Sequence, residues 1–175
     1  MRNQSNIVLI GYRCSGKTSV GRIIAERTGM SFYDTDDLIE KSAGRPISEI
    51  VEKDGWENFR EIEKTVVRAA SGLNNAVIAT GGGVVSNEDN IMNLKKNGYV
   101  IWLEGDVEIL MKRMEKDMNA GNHRPSLTGI DPRSETRKVL ESRIPMYRRA
   151  ADLVVNTDTL SPDDVAVMVM KAAGI

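Results

Sequence analysis

The stretch "GYRCSGKT", Gly11 to Thr18, follows directly on the apolar run "NIVLI", Asn6 to Ile10, and fits Gly-x-x-x-x-Gly-Lys-Thr without a mismatch. Glycines at 11 and 16 let the backbone curl until successive N–H groups point inward, and a helix opening near Lys17 adds its positive end. Lys17 would reach the β- and γ-phosphates of a nucleotide, and the Thr18 hydroxyl would ligate Mg2+. The neighbours suit this reading, because a strand-like run precedes the loop and the amphipathic "KTSVGRIIAERTG" follows it. A chance glycine-rich turn would require neither. Cys14 fills a variable slot, its side chain a spectator. The sequence predicts a nucleoside triphosphate site, but the loop alone does not separate a kinase from an NTPase switch or motor.

Outward from the loop, short apolar runs alternate with helical patterns. "NIVLI", "SFYDT", "AVIAT", "YVIWLE" and "DLVVN" read as buried strands. "KTSVGRIIAERTG", "WENFREIEKTVVRAAS", "EDNIMNLKKNG", "VEILMKRMEKD" and "SETRKVLESRIPMYRRA" read as helices with 3.6-residue spacing. Five strands interleaved with helices predict a parallel, three-layer α/β sheet, with the ligand site at the carboxyl ends of the strands. The one linker-like stretch is Asp117 to Ser134, rich in Gly, Asn, Pro and Ser. Loops of that length in compact domains are often functional lids, and the plainer reading is a surface loop without a role.

The 175 residues are 41% apolar and 28% charged, with 24 basic against 25 acidic side chains and a net charge of −1. This length and composition suit a single globular domain spanning 1–175. The charge balance gives no reason to expect a nucleic acid or an anionic membrane as partner. One Cys and one His exclude an intrachain disulfide and most structural zinc sites. "IVLI" is too short for a signal-peptide core or a membrane span, so a cytoplasmic protein is expected. No heptad run is present, so a monomer is expected too.

The acceptor must come from the rest of the chain. In "FYDTDDLIE", Asp34 and Asp36 would face the same side of an extended segment. One could then serve Mg2+ and its waters, the other an acceptor hydroxyl. The plainer reading makes Asp36 or Asp37 the cap of the next helix. In "WENFREIEK", Arg60 and Glu63 stand at i, i+3 on a helix, where they could form an ordinary surface ion pair. Alternatively, Glu63 aims the guanidinium of Arg60 at an anion. Gly81 to Gly83 end a β-branched strand and would expose backbone N–H groups to a small molecule. Arg143, two residues before Pro145, could offer a bidentate fork to a carboxylate if the proline kinks or ends the helix there. Arg148 and Arg149 read as a solvated face.

Taken together, "GYRCSGKT", "DTD" at 34–36, "FREIE" at 59–63, "TGGG" at 80–83, "HRPSL" at 123–127 and "SRIPMYRRAAD" at 142–152 resemble the shikimate kinase family, in order and over nearly the whole chain. The resemblance implies a nucleoside-monophosphate-kinase-like P-loop fold with a five-stranded parallel sheet in order 2-3-1-4-5. It implies transfer of the γ-phosphoryl group of ATP to the 3-hydroxyl of shikimate, with Mg2+ bound by Thr18 and, through its shell, by Asp34. The expected nucleotide contacts are Gly11, Cys14, Ser15, Gly16, Lys17, Thr18 and Ser19 of the loop, Arg113 against the adenine, Pro162 in an adenine-side loop, and Arg124. Asp36 is expected to bind the acceptor hydroxyls, and Arg60 and Arg143 the carboxylate, with backbone help from Gly82 and Gly83. Lys17, Asp36 and Arg124 form the expected catalytic set. The acceptor region is expected at about 34–63 and a lid at about 117–129, where Ser126 stands in place of the family's usual leucine-like residue. Another small-acid kinase of the same fold, such as a gluconate kinase, is the nearest rival reading. A phosphate-loop binding module without turnover is the rival from another class.

Overall fold

The computed structural model describes residues 5–119 and 132–175. The expected lid lies outside them save for 117–119, and Arg124 and Ser126 lie outside with it. Strand β1, Asn6–Ile10, is buried along its whole length, as an apolar run in the middle of a parallel sheet must be. It is flanked by β3, Ala76–Ala79, and β4, Gly98–Glu104, with Val8 opposite both Ile78 and Val100. Strands β2, Ser31–Asp34, and β5, Leu153–Asn156, complete the sheet as its edges. All pairings are parallel, as the strand–helix alternation predicts, and the order is β2-β3-β1-β4-β5, as the family resemblance implies.

Alternation along the strands sends side chains to two apolar layers. Ile7, Leu9, Ile101 and Leu103 pack against helix α1, Lys17–Thr28, and helix α7, Pro162–Ala173. Val8, Ile10, Val100 and Trp102 face α3, Ile47–Ser71, α4, Glu88–Asn97, and α6, Pro132–Ala150. A third, smaller cluster joins α2, Thr35–Ala43, to α3 through Ile39, Ile50, Phe59 and Val66. It carries the region expected to hold the acceptor. The chain leaves β1 toward β2 on one side of the sheet and leaves β3 toward β4 on the other. Connections diverging in this way open a crevice at the carboxyl ends of the strands, where Gly11 and Gly81 lie.

Several boundaries differ from the sequence expectations. Helix α3 begins at Ile47 rather than Trp56, and Gly55 breaks it with φ 81° and ψ 169°. Gly98 both caps the end of α4 and opens β4, and only glycine fits there, since a Cβ would lie 2.5 Å from Val8 Cγ2 and 2.6 Å from the Leu94 carbonyl oxygen. The linker-like stretch is shorter than Asp117 to Ser134, since α5, Val107–Asn119, takes its start and α6 opens at Pro132, a residue well suited to a first helical turn. Pro145 neither ends nor interrupts α6, which continues to Ala150. Helix α7 is not among the expected elements. Pro162, expected in a loop, is its first residue, with Ser161 and Asp164 capping each other.

Candidate active site

The phosphate loop joins β1 to α1 by three left-handed backbone positions. Gly11 has φ 147°, Gly16 φ 96° and Cys14 φ 57°. Glycine meets this demand without strain, but Cys14 does so against its own preference. Helix α1 then starts with no side-chain cap and no acidic residue in its first turn. A helix start of this kind suits an anion, toward which its first N–H groups and positive end are directed. Lys17 Nζ folds back over the loop, donating to the carbonyls of Gly11 at 2.9 Å and Tyr12 at 2.8 Å.

The expected extended run through Asp36 is not formed. Asp34 ends β2 and caps α2, its Oδ1 accepting the Asp36 N–H at 3.0 Å. That bond starts the helix at Thr35, so the cap is Asp34 rather than Asp36 or Asp37. The other oxygen of Asp34 accepts the Thr18 hydroxyl at 2.8 Å. Asp36, in the first turn of α2, still reaches the crevice. It lines one cavity with Lys17, Thr18, Asp34 and Arg113, and a second with Arg60, Glu63 and Arg143. A third cavity borders Cys14, Ser15, Gly16, Ser19, Arg113 and Pro162. There the Arg113 guanidinium is held by Thr157, through the hydroxyl at 3.1 Å and the carbonyl at 2.5 Å. The phosphate loop, Asp36, Arg60, Arg143, Arg113 and Pro162 thus border one set of adjoining cavities.

The second cavity, of about 250 Å³, is the candidate acceptor site. Arg60 comes from α3 and Arg143 from α6. Glu63 holds Arg60 at 2.7 Å, and its side chain is only 1% exposed, against 28% for the arginine. This excludes an ordinary surface pair. Burial pushes the Glu63 carboxyl above its usual range, while the Arg60 charge beside it pulls the other way. One carboxylate oxygen has no hydrogen-bond partner among the described residues. Arg148 and Arg149 are exposed, as expected.

The glycine triplet serves close approach rather than unusual dihedrals, since none of the three has a positive φ. A Cβ on Gly81 would lie 2.8 Å from Asp36 Oδ1, and one on Gly83 would lie 2.7 Å from Arg60 Cζ. Gly82 faces the phosphate loop, with the Arg13 nitrogen and the Gly11 carbonyl oxygen each 3.5 Å from its own Cβ position. The triplet is where the phosphate loop, Asp36 and Arg60 meet.

The family model described as "Shikimate kinase" matches residues 13–173. This chain belongs to the shikimate kinase family. A shikimate kinase from Caldanaerobacter subterraneus subsp. tengcongensis is 44% identical over 167 residues, covering 95% of each chain. The solved structure of the shikimate kinase from Acinetobacter baumannii in complex with shikimate is 34% identical, with a TM-score of 0.90 over 98% of this chain and 94% of its own. A gluconokinase from Sinorhizobium meliloti 1021, the rival class, reaches 16% identity and a TM-score of 0.58, covering 99% of this chain and 94% of its own. That likeness is one of fold alone.

Within this shikimate kinase family member, sequence reasoning missed several residues around the candidate site. Arg13 occupies a variable slot of the phosphate loop yet lines the candidate acceptor cavity, as do Glu40, Trp56 and Phe59. Thr35 is fully buried, and its hydroxyl accepts the Gly81 N–H at 3.0 Å, tying α2 to the triplet. Such contacts join segments distant in sequence, and no local pattern announces them. Among the described residues, no helix is long and apolar enough to cross a membrane.

Proposed function

We propose that the chain transfers the γ-phosphoryl group of ATP to the 3-hydroxyl of shikimate, in aromatic amino acid biosynthesis. The observation that carries this reading is the cavity lined by Arg60, Arg143 and the glycine triplet, joined to the phosphate loop through Asp36. Two guanidiniums from different helices suit a carboxylate, which a planar fork engages at two points. Asp36 lies between that cavity and Lys17, where an acceptor hydroxyl has to stand to meet a phosphate. It would accept a hydrogen bond from that hydroxyl and orient its oxygen for attack.

On the nucleotide side, the loop N–H groups from Gly11 to Ser19 would hold the phosphates. Lys17 would exchange its carbonyl partners for phosphate oxygens, and Arg113 with Pro162 would border the base. Thr18 Oγ1 and an Asp34 oxygen, 2.8 Å apart, are hard donors of the kind Mg2+ takes alongside waters and phosphates. They would hold the ion, which supplies neutralising charge at the phosphates. Arg124 would add a further positive charge over the transferred group, by the family resemblance alone. Phosphoryl transfer asks mainly for positioning and charge neutralisation, and these residues supply both.

Two substitutions test the acceptor side. Arg143→Ala should weaken shikimate binding roughly 10- to 100-fold, since a charge-assisted hydrogen bond contributes about 1.5–3 kcal/mol and about 1.4 kcal/mol is one decade. ATP affinity should hold, and Arg143→Lys should restore only part of the loss. The parent should strongly prefer shikimate over an analogue lacking the carboxylate, and Arg143→Ala should lose most of that preference. A mutant that discriminates as well as the parent would remove Arg143 from the carboxylate site.

Gly83→Ala should act through space alone. Gly83 has φ −93° and ψ −3°, which alanine adopts freely, but the new methyl would displace the Arg60 guanidinium. Calorimetry should show shikimate affinity falling about tenfold, with some loss of melting temperature as the buried Glu63 gives up its partner. An unaltered shikimate affinity would mean that Arg60 does not hold the acceptor.

A further inference from the structure

Tyr147 is fully buried on α6. Its ring stacks on Trp102 of β4, with centroids 5.6 Å apart and 19° between the planes. Packing asks nothing of the hydroxyl, because phenylalanine would fill the same space. Burying a hydroxyl is costly unless it is hydrogen-bonded. Burial also pushes the phenol well above its usual range, so it stays a donor. Its proton goes to the Gly82 carbonyl at 2.5 Å. Arg143, one helical turn earlier, donates Nη1 to the same oxygen at 3.2 Å. Two side chains of one helix converge on one carbonyl of the glycine triplet.

Holding that carbonyl fixes the next N–H as well. The peptide is trans and planar, so the Gly82 carbonyl and the Gly83 N–H point in opposite directions. Three consecutive glycines have no side chains of their own to settle those planes and lose much entropy when ordered. An outside anchor is needed, and α6 provides it. Gly83 is buried and lines the acceptor cavity. Its N–H and that of Gly82 have no hydrogen-bond partner among the described residues, although buried backbone donors nearly always have one. The Arg60 guanidinium lies against Gly83, so an anionic oxygen bound there would meet both donors.

We propose that Tyr147 is a positioning residue for the acceptor: its hydroxyl, with Arg143, fixes the Gly82–Gly83 peptide so that the Gly83 N–H is presented to the acceptor carboxylate. This rests on the acceptor reading of the cavity given above. Tyr147→Phe keeps the ring and the stack and removes only the anchor. Shikimate binding measured by calorimetry should weaken roughly 3- to 10-fold, with ATP affinity within about twofold of the parent. The analogue lacking the carboxylate should bind parent and variant alike. An unchanged shikimate affinity in the variant, or a parallel loss for ATP, is what a merely structural hydroxyl would give, and either overturns the proposal. Amide NMR of the parent is a second test that does not depend on the variant folding. The Gly83 signal should shift on adding shikimate and not on adding the analogue, and a silent Gly83 overturns the proposal. If the parent itself fails to bind shikimate, the acceptor reading falls too. If the parent binds and Tyr147→Phe is unaffected, only the role of Tyr147 is lost.

Discussion

Lys17→Ala should lower kcat by roughly 10³-fold or more, on the scale of other positive groups that stabilise a transferring phosphoryl group. The ammonium donates to the loop it belongs to, at the carbonyls of Gly11 and Tyr12 and, at 3.4 Å, the Ser15 hydroxyl. It supports no part of the apolar core. Deleting it should therefore leave a folded protein, with a stability loss of about 1 kcal/mol or less. Calorimetric melting and steady-state turnover on the same preparation separate the two effects. Turnover within a few-fold of the parent would mean that the loop does not act on the phosphates.

Asp36→Asn should cost roughly 10²- to 10⁴-fold in kcat, the range for a group that accepts or steers a proton in the transition state. Shape is kept and the negative charge removed. Because Asp34 is the cap of α2, the substitution does not uncap the helix. Within the helix it removes a favourable first-turn charge, about 0.3–1 kcal/mol. ATP affinity should change little. Asp34→Asn makes an informative contrast, since Asp34 both caps α2 and accepts the Thr18 hydroxyl, so stability and nucleotide handling should suffer together. A fully active Asp36→Asn would take Asp36 out of the reaction.

The phosphate loop was legible in the sequence because its causes are local: two glycines, a lysine, a threonine and the flanking period fit in one short run. The parallel sheet followed from strand–helix alternation, and its strand order from the family resemblance alone. The aspartates were legible as residues but not as geometry. Asp34 reaches forward to the Asp36 N–H and turns an extended run into a helix, a competition that the period of two does not register. The glycine triplet was visible too, yet its reason was not. Gly81 and Gly83 are small because Asp36 and Arg60 lie against them, and those residues arrive from α2 and α3 only once the sheet has formed. Glu63 could not be told from a surface partner of Arg60 before its burial was known. Tyr147 sits in a quoted motif, but its hydroxyl gains meaning only from the Gly82 carbonyl, 65 residues away in sequence. Helix α7 hid behind "VAVMVM", where valine and methionine in succession give no clear helical stripe.

The central claim is that this site phosphorylates shikimate, and product analysis with ATP and Mg2+ tests it most directly. With shikimate as acceptor, ADP release should be matched mole for mole by shikimate 3-phosphate. With gluconate, or with no acceptor, ADP should accumulate only at a background rate. ATP consumption that shikimate does not stimulate, or that gluconate stimulates equally well, would contradict the assignment.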